Sequence, residues 1–547
     1  MMKKMQIALI AAGAVAMAGG MLLSGCKSEK EFRDERAEYA VLHNQQAKYR
    51  DQLEGKKMGL LECMRYALEH NLDVEVNKVE EAVAREMRTA EMLGMLPELT
   101  VTDTYTARNN TPASSSENIY GDAGGTYSYS QSQDRALNYL NVDLALSVLD
   151  FGLAFFNTQQ ADDRILLRKQ RTERAMQNLT LDVAKAYFQV AAAQKAISIT
   201  EPLLEECRTQ RAALSKLVQS RQITPFRGFD ETKRFVNMEK RLTAYIRAYE
   251  NSCVELRSLM GMYPAGKLVV NDAVLKDAPD FNLPDIELME QIALLQRPEL
   301  YEIDIQKHIN IIECRKTILQ MFPNVRIYGD FTNSTNSFLY HMSWWELGVR
   351  AAYNLLKLPK QIATYMAYSR QVEAEELRTF AQAIGVMAQV RIAHANMFST
   401  KERYNIDNEN YRTYASQLKT AIATKQTAGA LSTLELVHMR LETAETEIER
   451  LLSLGNYYIS YYRLLNALGV RDLNAKTQKE LKAELAQARE RAQEELAKAQ
   501  AEYDEKRVAR VSSSPLADDM TGKTVSKPLT KFDGVDFIAI YDAGAKK

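Results

Sequence analysis

The sequence contains residue types that could bind a metal or catalyse a reaction, but their spacing supports neither. The six histidines are scattered and form no HExxH or similar ligand spacing: His43, His70, His308, His341, His394 and His438. The glycines at 121, 124 and 125 are too irregular for a phosphate loop, and no GxSxG, Walker or paired-carboxylate motif is present. We therefore expect no cofactor, no metal and no catalytic residue, and thus no enzyme.

Four cysteines outside the N-terminal segment lie within helical patterns, and none forms a CxxC pair: Cys63, Cys207, Cys253 and Cys314. We expect them to be small buried side chains. A disulfide in an oxidising compartment remains the alternative.

The first 26 residues indicate a lipid-modified N-terminus. Lys3 and Lys4 precede an apolar stretch from Met5 to Leu23, and small residues then lead to Cys26. This segment resembles the lipobox of bacterial lipoproteins, which implies cleavage before Cys26 and acylation of that residue. Lys27 follows Cys26, at the position where an aspartate would resemble the inner-membrane retention signal of lipoproteins. The resemblance therefore favours the outer membrane. An ordinary signal peptide or anchor with a chance cysteine is the alternative.

Two long helical arms dominate the chain. The net charge of −1 and the 46% hydrophobic content are typical of folded protein, and no polybasic segment indicates nucleic acid. One arm spans Phe155–Gly261 and breaks at Ile223–Gly228, and the other spans Gln361–Gly469 and breaks at Thr427–Leu431. A helix from Phe155 to Gln222 would be about 100 Å long, so the arms must project from another part of the protein.

Two strands precede each arm. After Pro97 the apolar period changes to two, and the first strand, at about 99–108, alternates Leu99, Val101 and Tyr105 with threonines, although Asp103 shares the apolar face. A polar loop with a small strand predicted at Thr126–Tyr129 leads to a second strand at about 137–148. One face of these strands would meet lipid or a core, and the other would meet water.

The second half repeats this order. A helix ends at Pro323, and strands at about 325–332 and 347–353 lead to the second arm. We interpret four aromatic residues near the loop between these strands as a membrane-interface belt, with packing at the strand ends as the alternative: Phe338, Tyr340, Trp344 and Trp345. Four strands cannot close a barrel, since small barrels need about eight, so several chains must complete one.

This layout resembles the TolC family of outer-membrane efflux proteins, including its lipoprotein branch. The motifs that carry the resemblance are short but occur twice in the same order: residues 61–73, Leu93–Leu99 and Leu149–Gly152, and then Arg297–Leu300, Phe322–Val325 and Asn354–Leu356. Together they cover roughly residues 58–470.

The resemblance implies a mainly α fold with a membrane β-barrel portion, in which three protomers form a twelve-stranded barrel and a periplasmic helical tunnel. It implies a passive outer-membrane channel for small molecules or polypeptides in a tripartite efflux or export system. The implied partners are two further copies of the chain, outer-membrane lipid, a periplasmic adaptor (membrane fusion) protein and an inner-membrane pump. A periplasmic helical scaffold lipoprotein without a channel is the alternative.

The family's tip turns correspond to Gln222–Asp230 and Gly429–Val437. We predict that adaptor contact and closure of the lower aperture involve residues around these turns: Arg221, Thr224, Pro225, Arg227, Asp230, Lys425, Gly429, Ser432 and Glu435. Solvated turn charges are the alternative for each charged residue. The first tip departs from the family pattern, because Arg221 stands where glycine is common and Pro225-Phe226 is bulky.

The complete prediction has six segments. They are a signal peptide at 1–25, a tether at 26–57, a first repeat at 58–262, a connector at 263–297, a second repeat at 298–470 and a tail at 471–547. Within the tail, we expect an exposed or partner-dependent charged helix at 475–509, disorder at 511–530 and a short strand or docking peptide at 531–541.

Overall fold

The structure, a computed structural model, describes residues 27–50, 57–115, 129–220, 224–428, 433–471, 473–512, 531–532 and 535–536. The signal peptide, Cys26 and most of the small strand predicted at Thr126–Tyr129 lie outside these residues. The chain divides into two compact units, Met1–Leu473 and Asn474–Lys547.

Helices make up most of the first unit, which confirms the mainly helical prediction. Its N-terminal helices are α1 (Glu29–Tyr49), α2 (Leu60–His70) and α3 (Leu72–Leu93). The first hairpin consists of α4 (Val148–Gln219) and α5 (Pro225–Leu259). The connector contains a 3-10 turn, Asp272–Leu275, and leads to α6 (Ile286–Gln296) and α7 (Pro298–Leu319). After a second 3-10 turn, Leu355–Lys357, the second hairpin consists of α8 (Leu358–Ala428) and α9 (Thr433–Leu468).

Local chemistry accounts for the ends of the first hairpin. Ser147 caps α4, because its Oγ accepts a hydrogen bond from the Asp150 N–H at 3.2 Å. Pro225 occupies the first turn of α5, where its missing N–H needs no partner. Between its ends, α4 has 72 residues and is therefore about 108 Å long.

The described residues of the first unit include six strands: β1 (Glu98–Ala107), β2 (Ala113–Ser114), β3 (Ser130–Gln131), β4 (Ala136–Ser147), β5 (Asn324–Ser334) and β6 (Ser343–Ala352). Four of them form an antiparallel sheet in the order β1-β4-β5-β6, and β2 pairs with β3 separately. We predicted the last strand at 347–353, but β6 begins four residues earlier. Trp344 and Trp345 therefore lie in a strand, because they pair with Thr332 and Phe331 of β5.

The helices of the first unit pack side by side as four columns. Helices α3 and α5 both pack on α4, α4 also packs on α7 and α9, and these two pack on α8. The order of columns is therefore α3/α5, α4, α7/α9 and α8. The outer columns continue into the outer strands, since α3 leads into β1 and α8 follows β6.

The two halves share one type of junction, as the predicted duplication requires. Gly261 follows the end of α5 with φ 69°, and Gly469 follows the end of α9 with φ 73°. Glycine adopts this left-handed conformation most readily. Asn71, between α2 and α3, donates from Nδ2 to a carbonyl at the end of α5 at 2.9 Å. Arg297, between α6 and α7, donates from Nη1 to two carbonyls at the end of α9 at 3.3 Å each.

The main core lies near the middle of α4, where the connector packs on the helices. Tyr187 and Phe188 are fully buried there. The Tyr187 hydroxyl donates to the Asn271 carbonyl at 2.7 Å, and the adjacent Val270 forms a β-bridge with Met58. These contacts hold the start of the first repeat and the connector against α4.

The second unit contains α10 (Ala475–Ser512) and a short strand pair, β7 (Lys531–Phe532) and β8 (Val535–Asp536). The segment predicted to be disordered, 511–530, begins inside α10, and its remaining residues lie outside those described. The predicted tether at 26–57 contains α1, whose side chains are not buried. Within the described ranges, no helix combines the length and apolar character needed to cross a bilayer.

Candidate functional site

The four-stranded sheet has one apolar face. Across its four strands the register aligns Val101, Val142, Phe331 and Trp345. The neighbouring row contains Leu347, which is 85% exposed, while Trp345 is 80% exposed. A continuous apolar surface of this kind on a folded chain marks contact with lipid or another protein.

The opposite face is polar. There the register aligns Thr100, Asp143, Asp330 and Glu346, and Arg326 forms an ion pair with Asp143. This division follows from the side-chain period of two that the sequence showed, but only the pairing of strands brings the three carboxylates into one row.

Both edges of the sheet remain available for pairing. Strands β1 and β6 are outermost, and in the described part of the chain neither pairs with a further strand on its outer side. An open edge exposes unpaired N–H and C=O groups, which favours pairing with another chain.

The structure describes the first tip only in part. Arg221 lies outside the described residues, as does the side chain of Arg227. Pro225 begins α5 without a side-chain cap from Thr224. Asp230 lies on the first turns of α5, 3.9 Å from the Arg234 guanidinium. Two bulky neighbours, Phe226 and Phe229, are 85% and 71% exposed, so this tip presents apolar side chains to its surroundings.

The second tip is less fully described. Gly429 and Ser432 lie outside the described residues. Lys425 belongs to the last turn of α8, although its side chain is not described, and Glu435 is exposed on the first turn of α9. The joint role of the predicted tip residues therefore stays a prediction.

An apolar cluster above the tips, which the sequence did not predict, joins the two hairpins. It consists of Cys207 of α4, Phe235 and Met238 of α5, and Val437 and Leu441 of α9. Val437 and Leu441 lie four residues apart on α9, a spacing typical of packed helices. Which helix they contact could not be read from one sequence.

Ion pairs surround this cluster. Arg440 of α9 contacts both carboxylate oxygens of Glu206 of α4, at 3.0 and 3.2 Å, and Arg241 of α5 pairs with Glu445 of α9. The pairs are partly solvent-exposed, so each contributes little stability alone. Together with the apolar cluster they fix the alignment of one hairpin on the other.

The four cysteines are free; Cys63, Cys207 and Cys253 are buried as predicted, whereas Cys314 is only partly buried. Burial raises the pKa of the Cys63 thiol to about 12 and that of Cys207 to about 11. No group of three His, Cys, Asp or Glu side chains in the described ranges has the geometry of a metal site.

Comparison with known proteins agrees with this architecture. Residues 64–262 match the family model described as outer membrane efflux protein. No curated protein sequence matches the chain. Similar solved structures include the outer-membrane channel OprN, at 16% identity and a TM-score of 0.59, over 75% of this chain and 89% of that one.

Two further structures have the same fold. The open-state outer-membrane channel MtrE of Neisseria gonorrhoeae has 16% identity and a TM-score of 0.61, over 75% of this chain and 89% of that one. The Campylobacter jejuni outer-membrane channel CmeC has 12% identity and a TM-score of 0.58, over 77% of this chain and 89% of that one. At these identities the likeness shows the fold alone. Residues 64–262 are thus similar to outer membrane efflux proteins, and the fold is one that solved outer-membrane channels share.

Proposed function

We propose that the protein is the outer-membrane channel of a tripartite efflux or export system, a passive trimeric duct for small molecules or polypeptides. The observation that carries the proposal is the two-faced sheet with open edges, placed at one end of two hairpins about 100 Å long. Open edges cannot face lipid, so another chain must cover them.

Three copies of the chain can cover all open edges with the same contact, repeated three times. Strand β6 runs antiparallel to β1, so β6 of one protomer can pair with β1 of the next without changing the alternation of directions. Three sheets then close as a twelve-stranded antiparallel barrel, with the apolar face toward lipid and the carboxylate row toward water. Tyr340 and Trp345, which are 94% and 80% exposed, fit an interfacial belt.

The outer helix columns carry matching features. Exposed apolar side chains recur along α3 at three- and four-residue spacing: Leu72, Val76, Val79, Val83 and Met87. A comparable stripe follows α8: Leu377, Phe380, Ile384, Ile392 and Phe398. Each stripe lies about 200° around its helix from the side that packs on the chain's own neighbouring column. We infer that α8 of one protomer packs on the α3/α5 column of the next, which closes a ring of twelve columns.

The lower ends of the hairpins would dock a periplasmic adaptor, which connects the duct to an inner-membrane pump. The exposed Phe226 and Phe229 beside Thr224 and Asp230 offer apolar contact flanked by polar groups, as protein interfaces require. The predicted tip residues therefore remain our candidates for docking and gating.

We also propose that Cys26 is lipidated and anchors this duct to the outer membrane. Met58 lies at the level of Tyr187, about 60 Å along α4 from the sheet. From Cys26 to Met58 the chain reaches about 70 Å, of which α1 contributes about 30 Å. The segment is thus long enough for a lipid at Cys26 to reach the membrane surface. Cys26→Ser should abolish palmitate labelling, and persistent labelling would contradict this assignment.

A pair of substitutions on adjacent residues of β6 tests the barrel. Leu347→Arg places a charge on the lipid face and should hinder insertion, since a lipid-facing arginine costs up to roughly 2–4 kcal/mol per chain, with a smaller cost nearer the interface. Glu346→Arg places the same side chain on the polar face and should leave insertion intact. Detergent-extracted trimers and conductance in planar bilayers are the measurements.

The outcomes separate the alternatives. Equal insertion of the two variants would show that the faces are assigned wrongly. A wild-type protein that reaches the outer membrane but never conducts would favour the helical scaffold instead.

A further inference from the structure

A polar groove between α8 and α9 carries two arginines. The groove has a volume of about 260 Å³. The residues that carry the argument come from both helices: Asn396, Ser399 and Arg403 of α8, and Ser453, Asn456 and Arg463 of α9. A space of this size admits one small polar group rather than a whole drug-sized molecule, for which pockets begin at about 300 Å³.

The groove lies on the side of the helices opposite the connector. Lys401 of α8 donates to Asp280 of the connector at 2.7 Å, and Tyr458 of α9 donates to the Val274 carbonyl at 3.1 Å. Arg403 is two residues from Lys401, which places it about 200° around the helix. The same two-residue step separates Asn456 from Tyr458. The connector and the groove therefore occupy opposite faces of the helical wall.

The charge of the groove is only partly balanced. Arg403 has one long ion pair, at 3.9 Å to Asp407 one turn away, and its side chain is 79% exposed. Arg463 is exposed and has no ion-pair partner among the residues that the structure describes. Two guanidinium groups that line one small space repel each other, and an anion between them removes that repulsion. Guanidinium groups also bind carboxylate, phosphate and sulfate oxygens with two parallel hydrogen bonds.

Other donors around the groove are free to contribute. Thr400 and Ser460 hydrogen-bond to each other at 2.8 Å and to backbone carbonyls, so they form a closed floor. The side chains of Asn396, Ser399 and Asn456 form no hydrogen bond with the rest of the described chain. Each of these groups can donate a hydrogen bond, and the two guanidinium groups can only donate, which suits an oxyanion.

We propose that this groove is an oxyanion-binding site on the wall of the duct, and that the cargo includes molecules with carboxylate, phosphate or sulfate groups. The assignment to the bore rests on the proposed function. In a closed ring the three connectors have room only on the outside, which turns the grooves inward. Three copies would place six arginines around the path of the cargo, at one level of the tunnel.

The test uses the trimer in planar bilayers with sodium tripolyphosphate as the probe. Tripolyphosphate should partly block the KCl current of the wild type. The double variant Arg403→Gln with Arg463→Gln should need at least about fivefold more anion for the same block, because exposed charge-assisted contacts are individually modest. Lys401→Gln is the matched control, since it removes the same charge from the opposite face of α8 and should behave as the wild type.

Equal block of the wild type and the double variant would overturn the proposal, as would an equal loss in Lys401→Gln. Arg403 and Arg463 are exposed and Lys401 is partly exposed, so folding should be unaffected, and elution of each variant as a trimer checks this. If neither the wild type nor any variant conducts, the proposed duct fails. Calorimetric titration of the detergent-solubilised proteins with the same anion then tests whether the groove binds an oxyanion. A fivefold weaker affinity of the double variant would support the site, and equal affinities would refute it.

Discussion

Among the described glycines at helix ends, Gly261 is the one whose replacement by alanine should destabilise the protein most. Gly261 has φ 69° and lies against the junction between α2 and α3. A Cβ atom built there overlaps the His70 carbonyl oxygen and lies 3.1 Å from its carbon. Both atoms belong to the backbone, so no change of rotamer relieves the overlap.

Two costs add at this position. The left-handed conformation costs a residue with a Cβ about 1–2 kcal/mol. Overpacking against fixed atoms typically costs a further 1–3 kcal/mol, because one helix end must move away from the other. We expect Gly261→Ala to lower the free energy of unfolding by about 3 kcal/mol. Gly469→Ala should lower the free energy of unfolding by about 2 kcal/mol. Its Cβ would lie 2.9 Å from the Gln296 carbonyl oxygen, so it overlaps the backbone less than the Cβ at position 261 does.

The assay is guanidinium unfolding of detergent-solubilised protein, followed by far-UV circular dichroism. Gly385→Ala is the matched control, because Gly385 lies within α8 and a Cβ there meets nothing within 4 Å. That variant should gain about 0.5–1 kcal/mol from the higher helix propensity of alanine. The reasoning is refuted if Gly261→Ala unfolds at the wild-type midpoint while Gly385→Ala shifts upward.

Three further predictions concern the junctions and the thiols. Asn71→Ala removes the cap of α3 and a bond to the end of α5, and should cost about 2 kcal/mol in the same titration; an effect below 0.5 kcal/mol would contradict the role of this side chain. Arg297→Met leaves two carbonyls at the end of α9 without their donor, and should cost about 3 kcal/mol or more; an unchanged midpoint would contradict this. At pH 8 the raised pKa values of Cys63 and Cys207 keep both thiols protonated, with about one part in ten thousand of Cys63 as thiolate. Ellman's reagent should therefore label them only after denaturation, and labelling of the native protein at the denatured rate would be the contrary result.

The sequence alone predicted the duplicated order of helices and strands. This was possible because the patterns are local: a period of two in the strands, spacings of three and four in the helices, and Pro and Gly near the breaks at Pro225 and Gly429. The start of β6 was wrong by four residues, since strand pairing with β5 overrode the loop-like neighbours of Trp344.

The tertiary structure alone decided which distant residues share a site. The carboxylates of Asp143, Asp330 and Glu346 form one row only because β4 pairs with β5 across the two halves of the chain. Arg403 and Arg463 line one groove only because α8 and α9 pack with a particular alignment. Local patterns predict which face of a strand or helix is polar, because the repeat of apolar residues depends only on neighbours in sequence. They do not state which polar faces meet, because register depends on packing between segments that lie far apart in the chain.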